Sequence, residues 1–111
     1  MKNTLHKILL LFFFLVSSQM FGQTISLMSF NIRYDNPNDN ENSWENRKDD
    51  VTGLIEYYHP DFLGIQEGLH NQVDFIQRNT TNYDHIGVGR DDGNTKGEYC
   101  ALYYDSSKYI L

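Results

Sequence analysis

The sequence has one cysteine, Cys100, so no internal disulfide can form and no disulfide framework carries the fold. Cys100 lies in the apolar run YCALYY, which predicts a small core side chain. Proline is nearly absent, with only Pro37 and Pro60, and there is no repeat, no heptad and no low-complexity tract beyond one Asn/Asp-rich loop. Basic residues are outnumbered, 9 against 15 acidic ones. An acidic chain repels nucleic acid phosphate, which argues against a tight, unspecific DNA binder. A phosphate-bearing substrate would have to be met through a metal ion or a local basic cluster. The long apolar run, Ile8 to Val16, is too short for a membrane span.

That run has the layout of a secretory signal peptide: Lys2 and Lys7 precede it, and the small or polar stretch Ser17 to Gln23 follows. Residues 1–22 are therefore expected to be removed, leaving a secreted or periplasmic chain from residue 23 with no membrane span. No cysteine near the junction supports a lipid anchor. Loss of Lys2 and Lys7 takes the 9 basic residues to 7 against 15 acidic ones, a net charge of −8.

Apolar residues in Ile25–Asn31 predict a buried strand that stops at a run of loop formers. DNPNDNEN, residues 35–42, is a solvated loop. Ser43 is placed to cap a helix from Trp44 to Tyr58, with Val51, Leu54, Ile55 and Tyr58 on one face. His59-Pro60 ends it, because proline disfavours the α conformation in the residue before it. DFLGIQE, residues 61–67, predicts a second strand, and the strand–helix–strand order places Asn31 and Glu67 at one sheet edge. His70 to Asn79 predicts a shorter helix with Val73, Ile76 and Gln77 on one side. Tyr83–Arg90 and Tyr99–Tyr104 predict a hairpin around the loop 91–97.

Three ordered segments, LMSFNIR at 27–33, PDFLGIQE at 60–67 and VGRDDGNTKGEYCALYYD at 88–105, resemble motifs of the endonuclease/exonuclease/phosphatase family. The resemblance implies an α+β fold: the amino-terminal portion of a deoxyribonuclease-like two-layer β-sandwich flanked by helices, incomplete in this chain. It implies a metal-dependent hydrolase of phosphoester bonds using Mg²⁺ or Mn²⁺. Its substrate would be a nucleic acid, a phospholipid head group or a nucleotide, with no stable protein partner. Hard cations take oxygen ligands and keep several waters, so one or two strand-end carboxylates suffice. The resemblance makes Glu67 a metal ligand and Asn31 its neighbour, ligating or orienting. It makes Glu98 the acid that holds a catalytic histidine of a later motif, and Arg33 and Arg90 contacts to substrate phosphate.

The family's later motifs, with the catalytic histidine, the water-positioning Asp and Asn and the closing Asp-His pair, cannot be placed in the residues after Glu98. The chain is therefore expected to be a truncated domain, and its apolar strand faces to lack partners. Asp84-His85 imitates the closing pair but comes too early in the order. Asp35–Glu41 imitates a calcium loop, yet Pro37 stands where an oxygen ligand is required. Asn79-Thr80-Thr81 matches a glycosylation acceptor. The rival reading is a non-catalytic secreted module or the remnant of a broken gene.

Overall fold

The computed structural model describes residues 22–111 and, before them, only residues 3, 4, 6–8 and 12. The expected signal peptide therefore lies largely outside the described residues. Among the described residues no helix is long and apolar enough to cross a membrane.

Strand β1, Leu27–Asn31, leads through a short 3-10 turn at Asn40–Asn42 into helix α1, Trp44–Tyr58. Strand β2, Phe62–Gln66, is followed by helix α2, His70–Asn79, and by strands β3, Tyr83–Ile86, and β4, Leu102–Asp105. The four strands form one mixed sheet in the order β1-β2-β4-β3. β1 and β2 run parallel with Asn31 opposite Gln66, and β4 is antiparallel to both β2 and β3.

One face of the sheet packs on both helices. Leu63, Ile65 and Tyr103 meet Ile55, Val73 and Ile76, all almost fully buried. Each such side chain stabilises the fold by roughly 1.5–3 kcal/mol through burial. Trp44 closes one end of this core, edge-on to Phe75 at 5.8 Å between ring centroids. The Tyr103 hydroxyl, buried with it, donates to the Val73 carbonyl at 2.8 Å. The opposite face carries Leu27, Ile86 and Leu102, which remain exposed.

The predicted helix bounds hold, but the buried stripes differ. In α1, Trp44, Val51, Thr52 and Ile55 are buried, whereas Leu54 and Tyr58 point to solvent. In α2, Gln72 is buried with Val73 and Ile76, and Gln77 is half-exposed. Ser43 precedes α1 without a side-chain capping bond. His59 ends α1 in the left-handed region, φ 40°, with its N–H bonded to the Ile55 carbonyl at 2.8 Å. The proline stop is correct in place, but it acts through a left-handed residue, not an extended one.

The hairpin is shorter than predicted. Beyond Ile86 and before Leu102 the paired ladder stops, and Tyr99 makes isolated bridges to Gly68 and to Gly89. Loop bonds take over there: Gly89 N–H to the Asn94 carbonyl at 2.8 Å and Arg90 N–H to the Glu98 carbonyl at 3.2 Å. Gly89 permits this, since a Cβ there would run into the Lys96 carbonyl. Cys100, expected in the core, is exposed, because alternation along this run buries its neighbours Tyr99 and Ala101 instead.

Candidate functional site

The parallel pairing of β1 and β2 sets the geometry of the site. The ladder continues one step beyond the strands, with Ile32 N–H bonded to the Gln66 carbonyl at 3.1 Å, so Asn31 and Glu67 leave the sheet side by side. Carboxyl ends of parallel strands are a common place for ligand sites in open sheets. Glu67 sits at φ 62°, a region that non-glycine residues seldom occupy. Its carboxylate Oε1 accepts from Asn31 Nδ2 at 2.8 Å, and Oε2 accepts from the Tyr34 N–H at 3.4 Å. Asn31 Oδ1 in turn accepts from the Arg33 N–H at 2.9 Å. Asn31 therefore faces Glu67 with its amide nitrogen, an arrangement that orients the carboxylate.

Asn31 and Glu67 open onto a cleft of about 490 Å³ whose far wall comes from the β3–β4 loop. Arg90, Glu98 and Cys100 line that wall. Arg90 Nη1 donates to Glu98 Oε2 at 2.9 Å, so the two predicted residues on this loop pair with each other. Arg33 stands outside the cleft lining, its guanidinium forked onto Asp39 with Nε–Oδ2 at 2.6 Å and Nη2–Oδ1 at 2.7 Å. That fork holds the Asp39 carboxyl below its ordinary range. The structure thus brings together Asn31, Glu67, Arg90 and Glu98, and leaves Arg33 at the rim of the neighbouring loop.

The imitation pair does not reach this cleft. His85 Nδ1 meets Gln77 Oε1 at 2.7 Å and its ring stacks on Tyr103, and burial holds its pKa below the ordinary histidine value. Its role is in packing. His70 Nδ1 contacts the Tyr99 hydroxyl at 3.1 Å, which in turn donates to the Asn94 carbonyl at 2.8 Å and ties the loop to α2.

Gln72, passed over in the sequence, is fully buried and hydrogen-bonds to residues of both turns that follow β1 and β2. The available signal was its spacing of four from Ile76, which puts a polar side chain on the apolar stripe. The Glu67 carboxylate at the cleft mouth offers hard oxygen donors suited to a hydrated divalent ion. Among the described residues no group of three or more His, Cys, Asp or Glu forms a metal cage.

The sequence profile described as the Endonuclease/Exonuclease/phosphatase family matches residues 28–111. The chain belongs to this family. Its members act on phosphoester substrates and generally depend on a divalent metal. Among solved structures, an endonuclease/exonuclease/phosphatase from Bacteroides vulgatus is 48% identical, with a TM-score of 0.77 over 80% of this chain and 34% of that one. A mannosyl-6-phosphatase from Bacteroides thetaiotaomicron is 32% identical, with a TM-score of 0.72 over 76% of this chain and 32% of its own. A second protein of that organism, described by the family name, is 33% identical, with a TM-score of 0.71 over 75% and 30% of the two chains. The chain thus spans about a third of the length of these structures. No curated protein matches it. The mixed sheet with its helices is the amino-terminal part of the family's α+β fold, as the motifs implied.

Proposed function

We propose that this chain supplies the metal-proximal wall of a divalent-metal-dependent phosphoesterase site. The observation that carries the reading is the Asn31–Glu67 contact at the mouth of the cleft, made by two family motifs that are distant in sequence. Glu67 would hold the ion, Mg²⁺ or Mn²⁺, which when bound supplies Lewis-acid polarisation of a phosphoryl oxygen. Asn31 fixes the direction of the carboxylate. Arg90, two-thirds exposed and on the facing wall, can turn from Glu98 to a substrate phosphate. The acidic balance of the chain and its similarity to a mannosyl-6-phosphatase favour a small phosphorylated substrate such as a sugar phosphate over nucleic acid. The front segment is read as a signal peptide, with the protein acting outside the cytoplasm; the amino-terminal sequence of the protein from its native host tests that.

The decisive experiment compares the native protein carrying this chain with its Glu67→Gln variant. It measures hydrolysis of a chromogenic phosphomonoester and phosphodiester across a Mg²⁺ titration. The expected result is metal-dependent turnover that Glu67→Gln and EDTA both abolish. Turnover that survives both changes overturns the assignment.

A further inference from the structure

Gln72 is the third residue into α2 and has no exposed surface. Its Oε1 accepts from the Leu69 N–H at 3.0 Å, satisfying a backbone donor at the start of α2. A cap needs nothing more, yet the same oxygen also accepts from the Asp35 N–H at 2.9 Å, and Nε2 donates to the Arg33 carbonyl at 2.9 Å. Two of its three bonds therefore reach off its own helix onto the turn that follows β1. Leu69 lies two residues after Glu67, and Arg33 two residues after Asn31. Both turns are locally costly: Arg33 has φ 56° and Glu67 φ 62°, conformations that persist only where the surroundings impose them. Arg47 adds a second hold on the first turn, donating to the Ile32 carbonyl at 2.9 Å and the Arg33 carbonyl at 3.3 Å, but it does not touch the second.

We infer that Gln72 is a positioning residue that locks the turns after β1 and β2 together and thereby sets Glu67 against Asn31. Its one amide spans both turns, so the side-chain contact at the site depends on a group that neither touches the cleft nor meets substrate. The consequence for metal binding rests on the reading of Glu67 as a ligand; the consequence for the Asn31–Glu67 contact does not.

The test uses the native protein carrying this chain, labelled with ¹⁵N, as wild type and as Gln72→Met, Gln72→Glu, Glu67→Gln and Ile76→Val. Gln72→Met removes all three bonds at similar volume. Gln72→Glu keeps the two acceptor contacts and turns the Arg33 contact repulsive, which provides a second variant should the first fold poorly. Ile76→Val loosens the same helix without touching the turns. The Asn31 side-chain NH₂ resonances should move in Glu67→Gln and in both Gln72 variants, and stay in place in Ile76→Val. Mn²⁺ affinity, measured by titration calorimetry, should fall about tenfold or more in the Gln72 variants, as for other supports of a ligand. Asn31 resonances that do not respond in a folded Gln72 variant overturn the inference. If Glu67→Gln leaves Mn²⁺ binding unchanged while the Asn31 resonances still respond to the Gln72 variants, the metal reading fails and the positioning role stands.

Discussion

Asn31 and Glu67, 36 positions apart in sequence, meet at 2.8 Å because a parallel ladder in register carries both to the same edge. The contact is exposed, so it adds little to stability and its value lies in aiming the carboxylate. Asn31→Ala should leave the unfolding free energy of this chain, measured by urea titration, within about 0.5 kcal/mol of wild type, as for other exposed substitutions. In the native protein it should lower metal-dependent phosphoester hydrolysis by roughly 10- to 100-fold, the usual cost of removing a group that orients a ligand. Full activity in the variant would show that Glu67 needs no such partner.

The left-handed backbone at Glu67 leads to a second expectation. A Cβ in that conformation costs roughly 1–2 kcal/mol, a cost glycine avoids. Glu67→Gly should therefore be more stable than Glu67→Ala by about 1 kcal/mol, which corresponds to a Tm higher by about 4–8 °C in a domain of this size. Both variants should lose metal binding. Equal melting temperatures would mean that the turn relaxes when the side chain is removed.

Much of this arrangement was legible because it depends on local chemistry. Apolar spacing and the His59-Pro60 stop placed α1 at residues 44–58, and strand-ending polar residues placed Asn31 and Glu67 together. What escaped depends on partners distant in the chain. Cys100 reads as core by its neighbours, yet the bridges of Tyr99 fix the alternation that turns it outward. Leu54 lies on the apolar side of α1 by spacing, but Trp44 and Thr52 take the buried positions. The pairings Arg33–Asp39 and Arg90–Glu98 join side chains six and eight residues apart across loops, where no periodicity applies. Gln72 and Asp61 are buried polar groups whose satisfaction is a tertiary matter.

Acid should weaken the fold in two stages. Burial lowers the His85 pKa below its ordinary value of 6.5, so the folded chain resists protonation that the unfolded chain accepts. Its contribution is complete above about pH 6.5 and is lost as pH falls towards the depressed folded value. Asp61 comes next: Lys108 at 2.8 Å, then the Ser26 N–H at 2.7 Å and hydroxyl at 2.8 Å, hold its carboxyl far below the ordinary range. Asp105 is lowered as well, chiefly by the Ser107 hydroxyl. These carboxylates contribute fully above about pH 4 and lose that contribution below it. Urea midpoints recorded from pH 8 to pH 3 should show both steps. His85→Gln should flatten the first step and Asp61→Asn the second. An unchanged profile in Asp61→Asn would remove the Ser26–Asp61–Lys108 cluster from the account of acid stability.

The uncovered sheet face leads to the last expectation. Leu27, Ile86 and Leu102 are 77%, 51% and 36% exposed, on the face opposite the helices. Apolar side chains clustered on one side of a sheet favour association, and the outer strands β1 and β3 leave backbone groups open to pairing with another chain. Ile86 and Leu102 are direct cross-strand partners, so a charge placed on either meets the other. Ile86→Lys together with Leu102→Glu sets opposite charges across the pair, worth roughly 0.2–1 kcal/mol, and removes two apolar groups from solvent contact. Residues 23–111 should therefore self-associate as wild type in sedimentation velocity at micromolar concentration, and the double variant should sediment largely as monomer. The helix-packed core on the other face is untouched, so the far-ultraviolet dichroism should be the same for both. Equal association of the two proteins would locate the sticky surface elsewhere, with the free edges of β1 and β3 as the next segments to alter.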